Sequence, residues 1–252
     1  MPSNAPRRLW PFPRIIAHRG GGVLAPENTL AGIRLARNLG FTAVEFDVKL
    51  SADRVPVLMH DDTLERTTDG SGAVAAMSYE ALARLDAGGW FANEFGGERV
   101  PGFAAASALC REAGVWANVE IKPNPGEERE TGEAVARMAR LLWAGSQPPP
   151  LLSSFSPLSL EAAAVEAPDL PRALLVVEPP QNWLAQLERL QCVALHASHR
   201  HLDPALVKAV HASGRGVLAY TVNDSELALD LLGWEVDALV TDQLDAITPA
   251  FA

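Results

Sequence analysis

Short apolar runs alternate along the chain with stretches whose apolar positions recur at helical spacing. Ile15-Ile16-Ala17 opens the series as a buried strand. It stops at His18-Arg19-Gly20, and Gly21 and Gly22 break it further. A loop through Pro26-Glu27-Asn28-Thr29 leads into helical spacing over Ala31–Leu39, which Gly40 ends. Further strands are predicted at Ala43–Val48, Val115–Lys122, Leu151–Phe155, Ala173–Val177, Val193–His196, Gly216–Val222 and Ala238–Thr241. Helices are predicted at Ala134–Leu142, after a solvated helical start at Glu127–Glu130, and at Pro157–Val165, Trp183–Leu190, Pro204–Ala212 and Ser225–Leu232. Eight such strands, each followed by a helix or an excursion, are the pattern of an α/β chain closed as a (β/α)8 TIM barrel. A doubly wound open sheet is the weaker alternative, because no Gly-x-Gly-x-x-Gly follows the first strand.

Some of these strands break the apolar pattern expected where helices cover a parallel sheet. In Ala43–Val48, Glu45 and Asp47 share one face, and Val44, Phe46 and Val48 share the other. Val115–Lys122 repeats the anomaly with Glu120 and Lys122. Carboxylates on an inward face are costly unless a cation lies between them. An exposed edge strand would show the same alternation. The repetition at strand ends, beside the His18-Arg19 that closes the first strand, points instead to one shared site. The C-terminal ends of barrel strands are where this fold does chemistry.

Val55–Asp61 follows Val48 too closely for a crossover helix, so a hairpin is expected. With Asp53-Arg54 as the turn, Asp47 lies opposite His60; a longer turn shifts the register by one. Residues 62–113 read as an insertion over one end of the fold. They hold turn chemistry at Thr67–Gly72, a short helix from the N-cap Ser78 to Leu85, a Gly- and aromatic-rich stretch around Trp90-Phe91, and a helix at Phe103–Arg111. No linker divides the chain, so residues 1–252 are expected to form one domain with this insertion.

The chain has 252 residues, is 48% hydrophobic and carries a net charge of −10. The length suits one large barrel, and the charge argues against nucleic acid or an anionic membrane as partner. Two cysteines are too few for a disulfide framework and suit a reducing compartment. The N-terminal segment has arginines but no apolar core of a signal peptide, and no run is long enough to span a membrane. A cytoplasmic enzyme acting on a small molecule is expected.

Glu45, Asp47 and Glu120 supply carboxylate oxygens, which suit a hard divalent cation, Mg2+ or Ca2+, rather than zinc. His18 and His60 flank them as an acid–base pair working near neutral pH. Arg19 and Lys122 remain to hold an anion. Two cations and a metal in an acidic protein suggest a phosphate ester, and paired imidazoles suggest a diester.

These motifs, His18-Arg19-Gly20, Pro26–Thr29, Glu45–Val48, His60-Asp61 and Glu120-Ile121-Lys122, resemble those of glycerophosphodiester phosphodiesterases. Thr221-Val222-Asn223 and Val240-Thr241-Asp242 add to the resemblance, which spans residues 14–245. It implies a distorted TIM barrel with a small inserted subdomain. It also implies hydrolysis of deacylated phospholipid headgroup diesters to glycerol 3-phosphate and an alcohol. Carried over by position, His18 and His60 are the acid–base pair, Glu45, Asp47 and Glu120 the metal ligands, and Arg19 and Lys122 the phosphate contacts. The chain departs from the family pattern at Pro101–Ala105, at Tyr220 and at Leu244, positions that shape the pockets rather than the chemistry. Two rivals are a related lyase that leaves a cyclic phosphate and a barrel kept as a non-catalytic scaffold.

Other residues have plainer readings. Glu27 is either a further carboxylate of the metal shell or a favourable charge at a helix start. Asn28 is read as a structural tie for the loop. Tyr220, Trp90 and Phe91 are read as packing residues at the mouth, with substrate contact as the alternative. His196 is read as a satisfied wall histidine, and His199, His201 and His211 as surface residues.

Overall fold

The computed structural model of the chain describes residues 10–251. Met1–Leu9, part of the segment expected to lack an apolar leader core, lies outside them. Nine strands are present: β1 Ile15–Ala17, β2 Ala43–Leu50, β3 Pro56–Leu58, β4 Trp116–Ile121, β5 Leu151–Ser154, β6 Arg172–Val176, β7 Ala194–Ser198, β8 Gly216–Tyr220 and β9 Ala238–Thr241. The helices are α1 Leu30–Asn38, α2 Tyr79–Leu82, α3 Phe103–Ala113, α4 Glu128–Leu142, α5 Pro157–Glu166, α6 Trp183–Arg189, α7 Pro204–Ala212 and α8 Ser225–Gly233. Every strand except β3 is parallel to its barrel neighbours, and β1 pairs with both β2 and β9. The sheet therefore closes on itself as the expected TIM barrel.

β2 is longer than its neighbours and outruns the barrel rim. It pairs with β4 over Ala43–Val48 and then turns back on β3 over Val48–Leu50. The hairpin register differs from the first expectation: Val48 faces Leu58, and the Met59 N–H donates to the Asp47 carbonyl at 3.1 Å. Asp47 thus faces Met59, and His60 lies beyond the strand end. The reason is turn chemistry. Arg54 adopts φ +64°, and the turn closed by its N–H to the Ser51 carbonyl ends on this left-handed residue. A three-residue loop of this kind is the next commonest after the two-residue turns, which want glycine or asparagine.

Two apolar layers surround the sheet. Inside, Ile16, Ala43, Trp116, Leu151, Ala173, Ala194, Leu218 and Ala238 fill the barrel towards its N-terminal end. Phe12 plugs that end by stacking on Trp116 at 4.8 Å between ring centres, with Trp10 edge-on to it at 5.0 Å. Outside, the strands' other faces, including Val44, Phe46, Val119 and Leu195, pack under the helices. The inner layer is thus sealed at one end and open at the other, which places any site at the C-terminal ends of the strands.

α4 starts at Glu128, in the solvated stretch ahead of the apolar spacing at Ala134–Leu142. Its first turn carries Glu128 and Glu130, which the helix dipole favours but which give no apolar signal. α3 joins the main core through Phe103, Ala106 and Cys110 and serves as the helix crossing to β4. The stretch before it packs around a separate cluster of Val57, Met59, Leu64, Val74, Leu82, Ala87 and Val100.

Candidate active site

The open end of the barrel gathers the charged residues singled out above. Glu45 and Asp47 lie on β2 and Glu120 on β4, with Asp47 and Glu120 side by side in register. All three are buried, and one oxygen from each lies within 4.8 Å of the others. Burial and the neighbouring Asp47 and Glu120 charges push the Glu45 carboxyl well above its usual range. Burial and Asp47 raise Glu120 to about 7. Asp47 is also desolvated, yet Lys122, Arg19, His60 and a hydrogen bond from Asn28 hold it below its ordinary value. Glu45 Oε1 is buried with no hydrogen-bond partner among the described residues. Mutually repelling oxygens, one of them orphaned, fit a hard divalent cation.

The two histidines are set alike. His18 Nδ1 lies 2.5 Å from Asp242 Oδ1, and His60 Nδ1 lies 2.6 Å from Asp61 Oδ1. A carboxylate on Nδ1 fixes that nitrogen as the N–H and leaves Nε2 as the acceptor. His18 Nε2 lies 3.9 Å from Glu45 Oε2. Burial lowers the His60 pKa more than Asp47 and Asp61 raise it.

Each carboxylate orienter is itself held. Asn223 Nδ2 donates to Asp242 Oδ2 at 2.8 Å, and the Asp242 N–H donates to Asn223 Oδ1 at 2.8 Å. This gives the Thr-Val-Asn and Thr-Asp motifs one physical purpose. Arg66 donates to both oxygens of Asp61 and to Glu27, and these bonds hold Asp61 far below the usual carboxylate range.

The first loop is built around the same acids. Arg19 has φ +48° and Asn28 φ +56°, conformations costly for side chains other than glycine. The Arg19 N–H donates to Glu45 Oε2 at 3.0 Å, and the Asn28 N–H donates to the Arg19 carbonyl. Asn28 also holds Asp47 twice, through Nδ2 to Oδ2 at 2.9 Å and through Oδ1 from the Asp47 N–H at 3.0 Å. Its role goes beyond tying loop backbone. Thr29 caps α1 by accepting from the Gly32 N–H, so the Pro-Glu-Asn-Thr motif joins a helix start to the acid cluster.

Glu27 bonds to Arg19 Nη1 at 2.8 Å and to Arg66. It is a clamp on two arginines; it is not among the three clustered carboxylates, and the first turn of α1 carries no acid. Lys122 Nζ donates to Glu120 Oε1 at 2.9 Å and lies 3.5 Å from Asp47 Oδ1. Arg19 Nε lies 3.7 Å from Asp47 Oδ2. Both cations therefore lie among the acids, at the cleft. The Tyr220 hydroxyl donates to the Val176 carbonyl at 2.7 Å, and its ring meets Phe155 edge-on. Tyr220 lines the cleft with its ring while its hydroxyl is engaged elsewhere. The cleft, of about 170 Å³, is lined by His18, Arg19, Glu45, Asp47, His60 and Glu120 among others.

His196 corrects the sequence reading. It is a buried wall residue of this cleft, but neither ring nitrogen has a partner among the described residues. His211, by contrast, bonds Asp237 at 2.8 Å.

The family model for glycerophosphoryl diester phosphodiesterases matches residues 18–246. The chain belongs to that family. It is 32% identical over 241 residues to a glycerophosphodiester phosphodiesterase of Caldanaerobacter subterraneus, covering 92% of this chain and 95% of that one. An Oleispira antarctica phosphodiesterase, solved in complex with the product sn-glycerol-3-phosphate, superposes with a TM-score of 0.88 at 39% identity, covering 92% and 93% of the two chains. A glycerophosphodiester phosphodiesterase of Agrobacterium tumefaciens superposes at 0.78 with 27% identity, covering 93% and 98%. The chain is accordingly a phosphoric diester hydrolase. Sequence reasoning quotes Asp61, Asn223 and Asp242 as members of motifs without giving them a role in the site, and it does not single out Arg66. None of the four lies on a strand whose alternation would flag it.

Proposed function

We propose that this enzyme hydrolyses glycerophosphodiesters to sn-glycerol 3-phosphate and an alcohol, using a divalent cation and a pair of histidines. The observation that carries the reading is the buried trio of Glu45, Asp47 and Glu120, flanked by two imidazoles each held through Nδ1 by an aspartate. The trio would hold Mg2+ or Ca2+, which supplies positive charge for the phosphoryl oxygens. Arg19 and Lys122 add fixed positive charge on the same rim and orient the phosphate. Asp242 holds the His18 ring so that Nε2 is free to accept or give a proton. Asp61 does the same for His60. One ring takes the proton of the attacking water, and the other protonates the departing alkoxide.

The domain reading is a single catalytic barrel with the excursion after His60-Asp61 covering one side. Buried, unpaired Cys110 and Cys192 support a reducing, cytoplasmic setting. No helix among the described residues is long and apolar enough to cross a membrane.

The test is release of glycerol 3-phosphate from a panel of glycerophosphodiesters, with Mg2+ or Ca2+ supplied, followed by phosphorus NMR. Release that stops on chelation supports the reading. No release from any diester would favour the scaffold, and a persistent cyclic phosphate would favour the lyase.

A further inference from the structure

Beside the acid trio and on the far wall, three polar side chains stand at inward strand positions where this fold ordinarily places branched apolar ones. Asn118 lies on β4 beside Glu45 in register, and Ser153 lies on β5 beside Glu120. His196 lies on β7 between Leu175 and Leu218. All three are buried, His196 completely. Asn118 Oδ1, Ser153 Oγ and both ring nitrogens of His196 lack hydrogen-bond partners among the described residues. Buried polar atoms are ordinarily paired, and such a set on one inward surface calls for a ligand that brings its own hydrogen bonds. His196 and Asn118 line the same cleft as His18 and Lys122.

The chemistry of that ligand follows from the atoms. Burial alone lowers the His196 pKa to about 3, so its ring is neutral and offers one donor and one acceptor. Asn118 Oδ1 accepts, and Ser153 Oγ both gives and accepts. No charged group is wanted here. A hydroxyl, which donates and accepts in turn, matches each of them. Leu175, Leu218 and Val240 flank the cleft and suit a carbon backbone between hydroxyls.

The opposite end of the cleft is different. Phe155, which lines the cleft, is 42% exposed at its mouth. A phosphodiester held at the acid trio has one arm inward and one outward. The enclosed polar end suits an arm of fixed structure, and the open apolar rim tolerates an arm that varies. In glycerophosphodiesters the fixed arm is the glyceryl unit.

We propose that His196, with Asn118, forms a floor that hydrogen-bonds the vicinal diol of the glyceryl arm and sets which arm of the diester enters the barrel. This rests on the function proposed above. A site built to bond a hydroxyl discriminates strongly against the analogue that lacks it, because its own polar groups are then left unpaired.

The test compares glycerophosphocholine with n-propyl phosphocholine, which keeps the carbon count and loses both hydroxyls. The quantity read is the ratio of their kcat/KM values, from choline release with saturating Mg2+ or Ca2+. The wild-type ratio is expected to be about 10²-fold or more. His196→Leu should reduce that ratio by about tenfold or more, and His196→Gln, which keeps a donor and an acceptor, should restore part of it. A wild-type ratio near one overturns the proposal, as does a ratio unaltered in His196→Leu. If His196→Leu does not fold, Asn118→Ala carries the test, and an unaltered ratio there also overturns it. If glycerophosphocholine is not turned over, the glyceryl and n-propyl esters of a headgroup accepted in the panel above are compared instead; turnover of no diester in that panel would overturn the proposed function itself, and this inference with it.

Discussion

His18 Nδ1 lies 2.5 Å from Asp242 Oδ1, although 224 residues separate them in the chain. The contact joins the end of the first barrel strand to the end of the last, so it exists only because β1 pairs with β9. It fixes the rotation and tautomer of the ring, the task an aspartate performs in triad enzymes. Asp242→Ala is expected to lower kcat by about 10²-fold with little change in KM. Combined with His18→Ala it should cost no more than His18→Ala alone, because the two act as a unit. Steady-state kinetics of the two single variants and the double variant check this; multiplying losses would separate Asp242 from His18.

The second imidazole should matter as much as the first. His60→Ala and His18→Ala are each expected to reduce kcat by roughly 10²–10⁴-fold. Full turnover in either variant would remove that residue from the acid–base pair.

Removal of divalent ions by EDTA should abolish turnover, and Mg2+ or Ca2+ should restore it. Glu120→Gln separates binding from folding. Burial and Asp47 push the Glu120 carboxyl up to about 7, so its charge is unfavourable when no cation is present. In EDTA, the Gln variant should melt higher than the wild type at pH 8. It should also lose the rise in Tm that the ion gives the wild type. Thermal melts with and without ion decide this, and an intact ion-dependent rise in the variant would remove Glu120 from the site.

His196 makes a prediction about pH and stability. Its pKa falls from 6.5 to about 3 on burial, so below pH 6.5 the unfolded chain binds a proton that the folded chain refuses. Its contribution is therefore present above pH 6.5 and is lost as pH falls towards 3. The slope is about 1.4 kcal/mol per pH unit. His196→Leu should remove this component, so its advantage over the wild type should grow as pH drops. Urea unfolding of both proteins across pH 4–7 measures it, and parallel curves would count against it.

Gly22 has φ +54°, and a Cβ built there would lie 2.2 Å from the Asp242 carbonyl oxygen. The following Val23 N–H donates to that same carbonyl at 2.9 Å. Gly22→Ala is expected to destabilise the fold by more than about 1 kcal/mol and to lower kcat by displacing Asp242. Melting temperature and kcat should fall together, and an unaffected kcat would uncouple the loop from His18.

Much of this enzyme was legible in one dimension, for a simple reason. Strand side chains alternate, so Glu45 with Asp47, and Glu120 with Lys122, announced an inward polar face without any coordinates. Short apolar runs separated by helical spacing gave the barrel, because a parallel sheet covered by helices must be apolar on both faces. The acid trio and the His-Arg strand end were therefore readable as a cluster before their distances were known.

Other features depended on the closed barrel. The hairpin register turned on Arg54 adopting a left-handed conformation, which residue type alone does not dictate. The partners that orient the histidines lie in loops, where no periodicity marks them, and Asp242 reaches His18 only across the closed seam. His196 looked like an ordinary wall residue. Its sequence position said that it was buried, and only tertiary packing decided that nothing in the described protein bonds its ring. Periodicity determines which face a residue takes, whereas pairing and satisfaction depend on what the rest of the chain brings to that face.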